Sequence, residues 1–244
     1  MTFINYLIET FGIENLGQVK WSHAVNSKKK LLDMLLDPSV MVIESDISMG
    51  NNNEVICAHP PDTKSDLSLI QLLNKVGETN KAIKLDFKDP RVIRESLKII
   101  KSLKISNKML LNADVLQGNG ASKSKFDARE FVDICKQEVP DTNLSLGWTS
   151  VADVNYPYEM KEIGEMLKLV NNENYVTFPV RACLLPNSWN ALKYLLNRND
   201  TWTLSLWNNE PLDNNLVYWI KENTESQKTY YDLIDGNKES VYLM

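Results

Sequence analysis

A (β/α)8 barrel is the fold this chain predicts. Three observations predict it: eight short β-rich runs, helical patterns between them, and 244 residues in all, close to the ~250 typical of such barrels. The runs occupy 19–23, 40–47, 82–87, 109–115, 143–148, 175–180, 202–207 and 228–233. Strict alternation of strand with helix calls for parallel strands. The competing architecture, a doubly wound open sheet, asks for a glycine-rich turn after its first strand, yet no glycine follows His23 before Gly50. The expectation is one α/β domain over residues 1–244, a single TIM-type barrel in which 1–17 forms an extra N-terminal helix.

The first run ends on His23. Ser27 then caps a stretch with apolar residues at three- and four-residue spacing, 28–36, whose opening lysines at 28–30 read as a solvated helix start. The second run carries Glu44 and Asp46. A short apolar run at 55–58 follows, ending at His59, and Pro60-Pro61-Asp62 turns the chain. Further helices are expected at 67–76, 91–103, 127–137 with Asp127 as cap, 158–170, 188–196 and 212–222.

Composition narrows the function. Lys and Arg number 27 against 32 Asp and Glu, a formal charge of −5, so no global basic field draws the protein to duplex nucleic acid or anionic lipid. Cys57, Cys135 and Cys183 are far apart and form no C-x-x-C pair, which points away from a zinc knuckle or disulfide framework and towards a reducing compartment. The first residues lack the basic and apolar regions of a signal peptide, and no run nears the ~18 apolar residues of a membrane span. A soluble cytoplasmic protein without an obligate protein partner is expected. The sequons at Asn143 and Asn199 carry little weight, since Asn143 opens a buried strand.

In a barrel, side chains near the C-terminal ends of the strands line the mouth, so polar residues inside apolar runs there are the candidates for chemistry. Period-two geometry points Glu44 and Asp46 to one side, aligns Lys84, Asp86 and Lys88, and aligns Asn112 with Asp114. Like charges about 4 Å apart repel by roughly 4 kcal/mol at an effective dielectric near 20, so Glu44, Asp46 and Asp86 need a counter-charge. A divalent cation provides one, and oxygen-only ligands favour Mg2+, with Ca2+ or Mn2+ as alternatives. The bland reading makes Lys84 and Lys88 a structural ion network. His23 and His59 weigh against it: one imidazole can deprotonate a nucleophile while the other protonates a leaving oxygen, with Lys88 and the cation taking charge on phosphoryl oxygens.

Later strands add Trp148, Arg181 and Trp207 at or just past their ends. Arginine can grip a phosphate and indoles can stack on a base, sugar or acyl chain, although a tryptophan there can equally cap the barrel core. Arg181 costs desolvation unless it meets an anion, either a substrate phosphate or a carboxylate such as Asp114. Asn26 is expected in the metal or phosphate shell.

These residues resemble the phospholipase-C-like phosphodiesterase superfamily, which includes glycerophosphodiester phosphodiesterases and venom sphingomyelinases D. His23-Ala24-Val25-Asn26, Ile43-Glu44-Ser45-Asp46-Ile47-Ser48 and Leu85-Asp86-Phe87-Lys88 carry the likeness. It implies that His23 and His59 are an acid/base pair, that Glu44, Asp46 and Asp86 hold Mg2+ or a similar ion, and that Lys88 supports the phosphate. A likeness over almost the whole chain is to the menorin-type family of that superfamily. It rests on 21–28, 58–66, 84–88, 112–114, 144–149, 177–182 and 203–207. Ala24 stands where glycerophosphodiesterases have arginine, and the disulfide-bonded loop of the venom enzymes has no counterpart around Cys57.

The function expected is a metal-dependent phosphodiesterase, acting on a lipid, glycerophosphodiester or nucleotide by hydrolysis or by forming a cyclic phosphate. Two alternatives stand beside it: an idle barrel that binds a ligand or partner, and a phosphodiesterase for single-stranded nucleic acid or nucleotides.

Overall fold

The structure is a computed structural model and describes residues 2–103, 105, 108–171 and 173–234. It is a (β/α)8 barrel of the TIM type. The order is α1 (Phe3–Phe11), β1 (Trp21–Ser22), α2 (Lys28–Leu36), β2 (Val42–Met49), β3 (Val55–Cys57), α3 (Leu69–Gly77), β4 (Ala82–Phe87), α4 (Ile93–Leu103) and β5 (Met109–Gln117). Then come α5 (Ala128–Glu138), β6 (Asn143–Thr149), α6 (Met160–Leu169), β7 (Val176–Arg181), α7 (Leu185–Leu196), β8 (Thr203–Trp207), α8 (Asn214–Asn223) and β9 (Thr229–Asp232). The strands follow one another across the sheet as β1-β2-β4-β5-β6-β7-β8-β9, with β3 attached to β2 alone. No helix among the described residues is long and apolar enough to cross a membrane.

Two compact units make up the chain. The first takes the residues up to Ile13, Lys20–Ala113 and Arg129–Leu144. Its strands are buried on both faces, as parallel strands flanked by helices are; every residue of β4 is buried. Helix α1, the expected N-terminal extension, is capped by the Thr2 side chain and stopped by Gly12 at φ 65°, a left-handed conformation that glycine adopts without steric cost. Ser27 caps α2 as expected, and Ser68 with Gln71 forms a reciprocal capping box on α3. Two buried lysines close gaps before their strands: Lys81 donates to the Asp37 and Val40 carbonyls, Lys108 to those of Val76 and Thr79.

One expectation needs enlarging here. The 55–58 run is a strand, β3, running antiparallel to the end of β2 in the register Ile47↔Cys57, Ser48↔Ile56 and Met49↔Val55. The turn between them closes through Gly50 and Asn53, the latter at φ 58°. Asparagine tolerates that region better than most residues do. β1 is also shorter than its run, so His23 lies just past the strand.

The second unit takes Glu14–Val19, Asp114–Ala128 and the chain from Ser145 onward. β7, β8 and β9 are parallel neighbours, with Arg181 in register with Trp207 and Trp207 with Asp232. Helix α7 begins at Leu185, three residues before the expected 188, with Pro186 in its first turn. Proline fits there because its missing N–H would have had no partner within the helix. Ser188, read as the start, instead sits buried in the helix, donating to the Leu184 carbonyl and accepting from the Tyr158 N–H.

Candidate metal centre and acid–base residues

Two rungs on one face of the first unit's sheet carry its charged side chains. Glu44 of β2 is in register with Lys84 of β4, and Asp46 with Asp86, which in turn is in register with Asn112 of β5. All five are buried. Oxygens of Glu44, Asp46 and Asp86 lie within 4.8 Å of one another, so the convergence expected from period two holds in three dimensions.

The segment after β1 wraps around Glu44. His23 Nδ1 is 3.2 Å from Glu44 Oε2, the Ala24 N–H donates to the same oxygen at 2.6 Å, and the Val25 N–H donates to the Glu44 carbonyl at 2.8 Å. To make these contacts Ala24 takes φ 52°, a conformation that costs an L-residue about 1–2 kcal/mol. A proton on Nδ1 turns the His23 contact into a hydrogen bond and leaves the lone pair on Nε2. The imidazole is 28% exposed, so it stays within reach of solvent. Lys30, expected to be solvated like Lys28 and Lys29, instead donates its ammonium back to the His23 carbonyl.

Lys88 joins the carboxylates, with Nζ 2.7 Å from Asp86 Oδ2 and 3.3 Å from Asp46 Oδ1. Its N–H bonds the Ile47 carbonyl. Asn112 donates to Asp86 Oδ1 at 2.7 Å. Asn26, expected in the metal or phosphate shell, has another task. Its Oδ1 accepts from the Ser45 hydroxyl and the Asp46 N–H, and its Nδ2 donates to Asp46 Oδ2 at 2.7 Å. The amide oxygen is thus committed twice over, and Asn26 orients Asp46 instead of facing a ligand. Asn26→Ala is expected to cost about 1–3 kcal/mol in urea unfolding, since it strands a buried hydroxyl and an N–H.

Glu44 retains an unanswered oxygen. Oε1 is buried and has no hydrogen-bond partner among the described residues, the condition that raises the cost of a buried charge. Burial pushes the Glu44 carboxyl above its ordinary pKa; Asp46 and Asp86 add to the rise, while His23 and Lys84 oppose it. Asp86 ends below its ordinary value: burial pushes it up, but Lys88, Lys84 and the Lys88 and Asn112 hydrogen bonds together outweigh that. An ion holding oxygens at about 2.0–2.6 Å needs them within roughly 5 Å of one another. The three carboxylates meet that limit, so the cluster could hold a divalent metal.

His59 is exposed, its Nδ1 2.6 Å from the Pro60 carbonyl oxygen, and the Pro60-Pro61 peptide is cis. The β2–β3 hairpin brings this residue back to the acidic strand: the N–H of Ala58 donates to the Asp46 carbonyl at 2.9 Å.

In the second unit, Arg181 has its carboxylate. Nη1 donates to Glu210 Oε1 at 2.6 Å, Nε to the Ser150 hydroxyl at 3.1 Å, and the guanidinium lies 4.4 Å from the Trp207 ring centroid. Glu210 was missed because it lies in an irregular segment past β8 without periodicity. Asp114 is half-buried, its carbonyl accepting from Ser124. Trp148 is a correction. It is 1% exposed, packed on Tyr158 at 5.1 Å and Phe178 at 6.2 Å, with Nε1 donating to the Glu162 carbonyl. At that burial Trp148 has no ring face to offer a substrate.

Residues 15–238 match the profile of the Menorin N-terminal domain. The chain belongs to that menorin family. A human relative, Protein FAM151B, is 31% identical to this menorin domain over 234 residues, covering 91% of this chain and 84% of the relative. In fold, the menorin domain is similar to a glycerophosphodiester phosphodiesterase from Parabacteroides distasonis (TM-score 0.52, 11% identity, 88% of this chain and 93% of the other). It is also similar to active domain 2 of a thermostable chitinase from Pyrococcus furiosus (TM-score 0.55, 12% identity, 89% and 83%). Two different activities at equal likeness mean that these neighbours speak for the barrel alone.

Proposed function

We propose that this menorin domain is a metal-dependent phosphodiesterase. The observation that carries the reading is the buried trio Glu44, Asp46 and Asp86, with Glu44 Oε1 unpartnered among the described residues, next to the partly exposed imidazole of His23, whose Nδ1 faces Glu44. Glu44, Asp46 and Asp86 would hold the cation, taken to be Mg2+. When bound, the cation supplies Lewis-acid charge to the phosphoryl oxygens.

The chain's own residues do the rest. His23, fixed by Glu44 at Nδ1, takes a proton at Nε2 from the attacking oxygen, and His59 returns one to the leaving oxygen as its bond to phosphorus breaks. Water as nucleophile gives hydrolysis; a neighbouring substrate hydroxyl gives a cyclic phosphate. Lys88 turns its ammonium to the phosphoryl oxygens with Lys84 beside it, Asn26 and Asn112 orient the carboxylates, and in the second unit Asp114, Arg181 and Trp207 are the candidates for substrate contacts.

Incubating the protein with Mg2+ and glycerophosphodiesters, lysophospholipids, dinucleotides and short single strands tests this. Turnover of at least one, lost on adding chelator, is expected; none with any substrate would overturn it. The second reading, a binding barrel without turnover, draws on Lys88, which already satisfies oxygens of Asp46 and Asp86. It predicts ligand-induced stabilisation by the same panel with every substrate recovered intact.

A further inference from the structure

The charges of the acidic cluster do not cancel, and Lys84 sets the remainder. Glu44, Asp46 and Asp86 bring three negative charges; Lys84 and Lys88 bring two positive ones; with neutral His23, one negative charge is left. A divalent cation turns that into one positive charge, which a phosphodiester monoanion would balance. The two lysines are not equivalent. Lys88 is 21% exposed and touches two carboxylates. Lys84 is 3% exposed, stands opposite Glu44 in the ladder and on the same face as Asp86, and has its Nζ 6.0 Å from the Trp21 ring centroid.

Burying an ammonium costs several kcal/mol, and an apolar side chain would fill the same rung of a parallel strand at no such cost. Folding alone therefore does not account for a lysine here. We propose that Lys84 is a built-in counter-charge, a specificity-determining residue that loosens the centre's hold on its divalent cation and tightens its hold on a singly charged phosphodiester. The proposal rests on the divalent-cation reading above. It is supported by the ladder itself, which sets Lys84 directly opposite Glu44 and two residues from Asp86 on the same buried face.

Calorimetric titration tests it without reference to turnover, using Mn2+ alone and then dimethyl phosphate added to the Mn2+-loaded protein. Lys84→Met is expected to bind Mn2+ roughly tenfold more tightly and dimethyl phosphate roughly tenfold more weakly, the size of one unit charge acting over a few ångströms in a partly screened site. Lys84→Gln carries the same expectation should the methionine variant not fold. Lys84→Arg, which keeps the charge, should restore both affinities towards wild type. Opposite movement of the two affinities is the signature, because a merely loosened structure weakens both. Unchanged or parallel affinities in the neutral variants would overturn the role of Lys84 and leave the cation site standing. Wild type is expected to take one Mn2+ per chain. Two would overturn the charge balance, and none would remove the cation reading along with this one.

Discussion

Mg2+ at a hundredfold excess over its dissociation constant is expected to raise the stability of the wild-type protein at pH 7 by about 2.7 kcal/mol, the mass-action gain for a ligand that binds only the folded state. Glu44→Gln is expected to lose most of that gain, yet in chelator to be as stable as wild type or more so. The sign follows from the shifts. Burial lifts the folded Glu44 carboxyl above its unfolded value, so the metal-free protein loses stability as pH rises through that raised pKa. Asp86 works the other way. Its folded pKa lies below the unfolded one, so its contribution is present at neutral pH and fades as pH falls through the acid range. Glutamine removes the first effect and leaves the second, while the Ala24 N–H keeps an oxygen to bond. Thermal melts at pH 5 and pH 7, with Mg2+ or chelator, read all of this. A full Mg2+ gain in the variant would show that Glu44 is not a ligand.

His23→Ala is expected to lower turnover of whichever phosphodiester the protein accepts by roughly 10²- to 10⁴-fold, the usual contribution of a general acid or base. Substrate affinity and circular dichroism should stay close to wild type. The imidazole is 28% exposed, and its backbone carbonyl, which holds Lys30, survives the change. A general base also leaves a mark on the pH profile: the acid limb of kcat seen in wild type should vanish from the residual activity of the variant. Equal turnover by both proteins would remove His23 from the chemistry.

What could be read in advance divides along physical lines. Strands and their inward faces were legible because period two is intrinsic to an extended chain, so Glu44 with Asp46 and Lys84 with Asp86 could be aligned before any fold was known. Their meeting across β2 and β4 required the strands to be sequential neighbours, which alternating parallel strands supply. Partners from irregular segments left no such trace. Glu210 reached Arg181 from a segment without periodicity, and the Asn26 amide is committed through a left-handed Ala24 that no pattern announces. Trp148 was ambiguous for a different reason: at a strand end a one-residue difference in depth separates a core-filling indole from a stacking one, and sequence does not encode depth.

On the proposed reading, the small hairpin β2–β3 would link ion capture to proton delivery. Because the chain turns straight back from Met49 and ties the Ala58 amide to the carbonyl of Asp46, the loop bearing His59 is anchored on the peptide of a proposed ligand to the cation. Any adjustment of Asp46 on loading would then reach that loop within one residue. Lengthening the 50–53 turn by a few glycines would decouple them, leaving cation affinity near wild type while protonation of the departing oxygen fails.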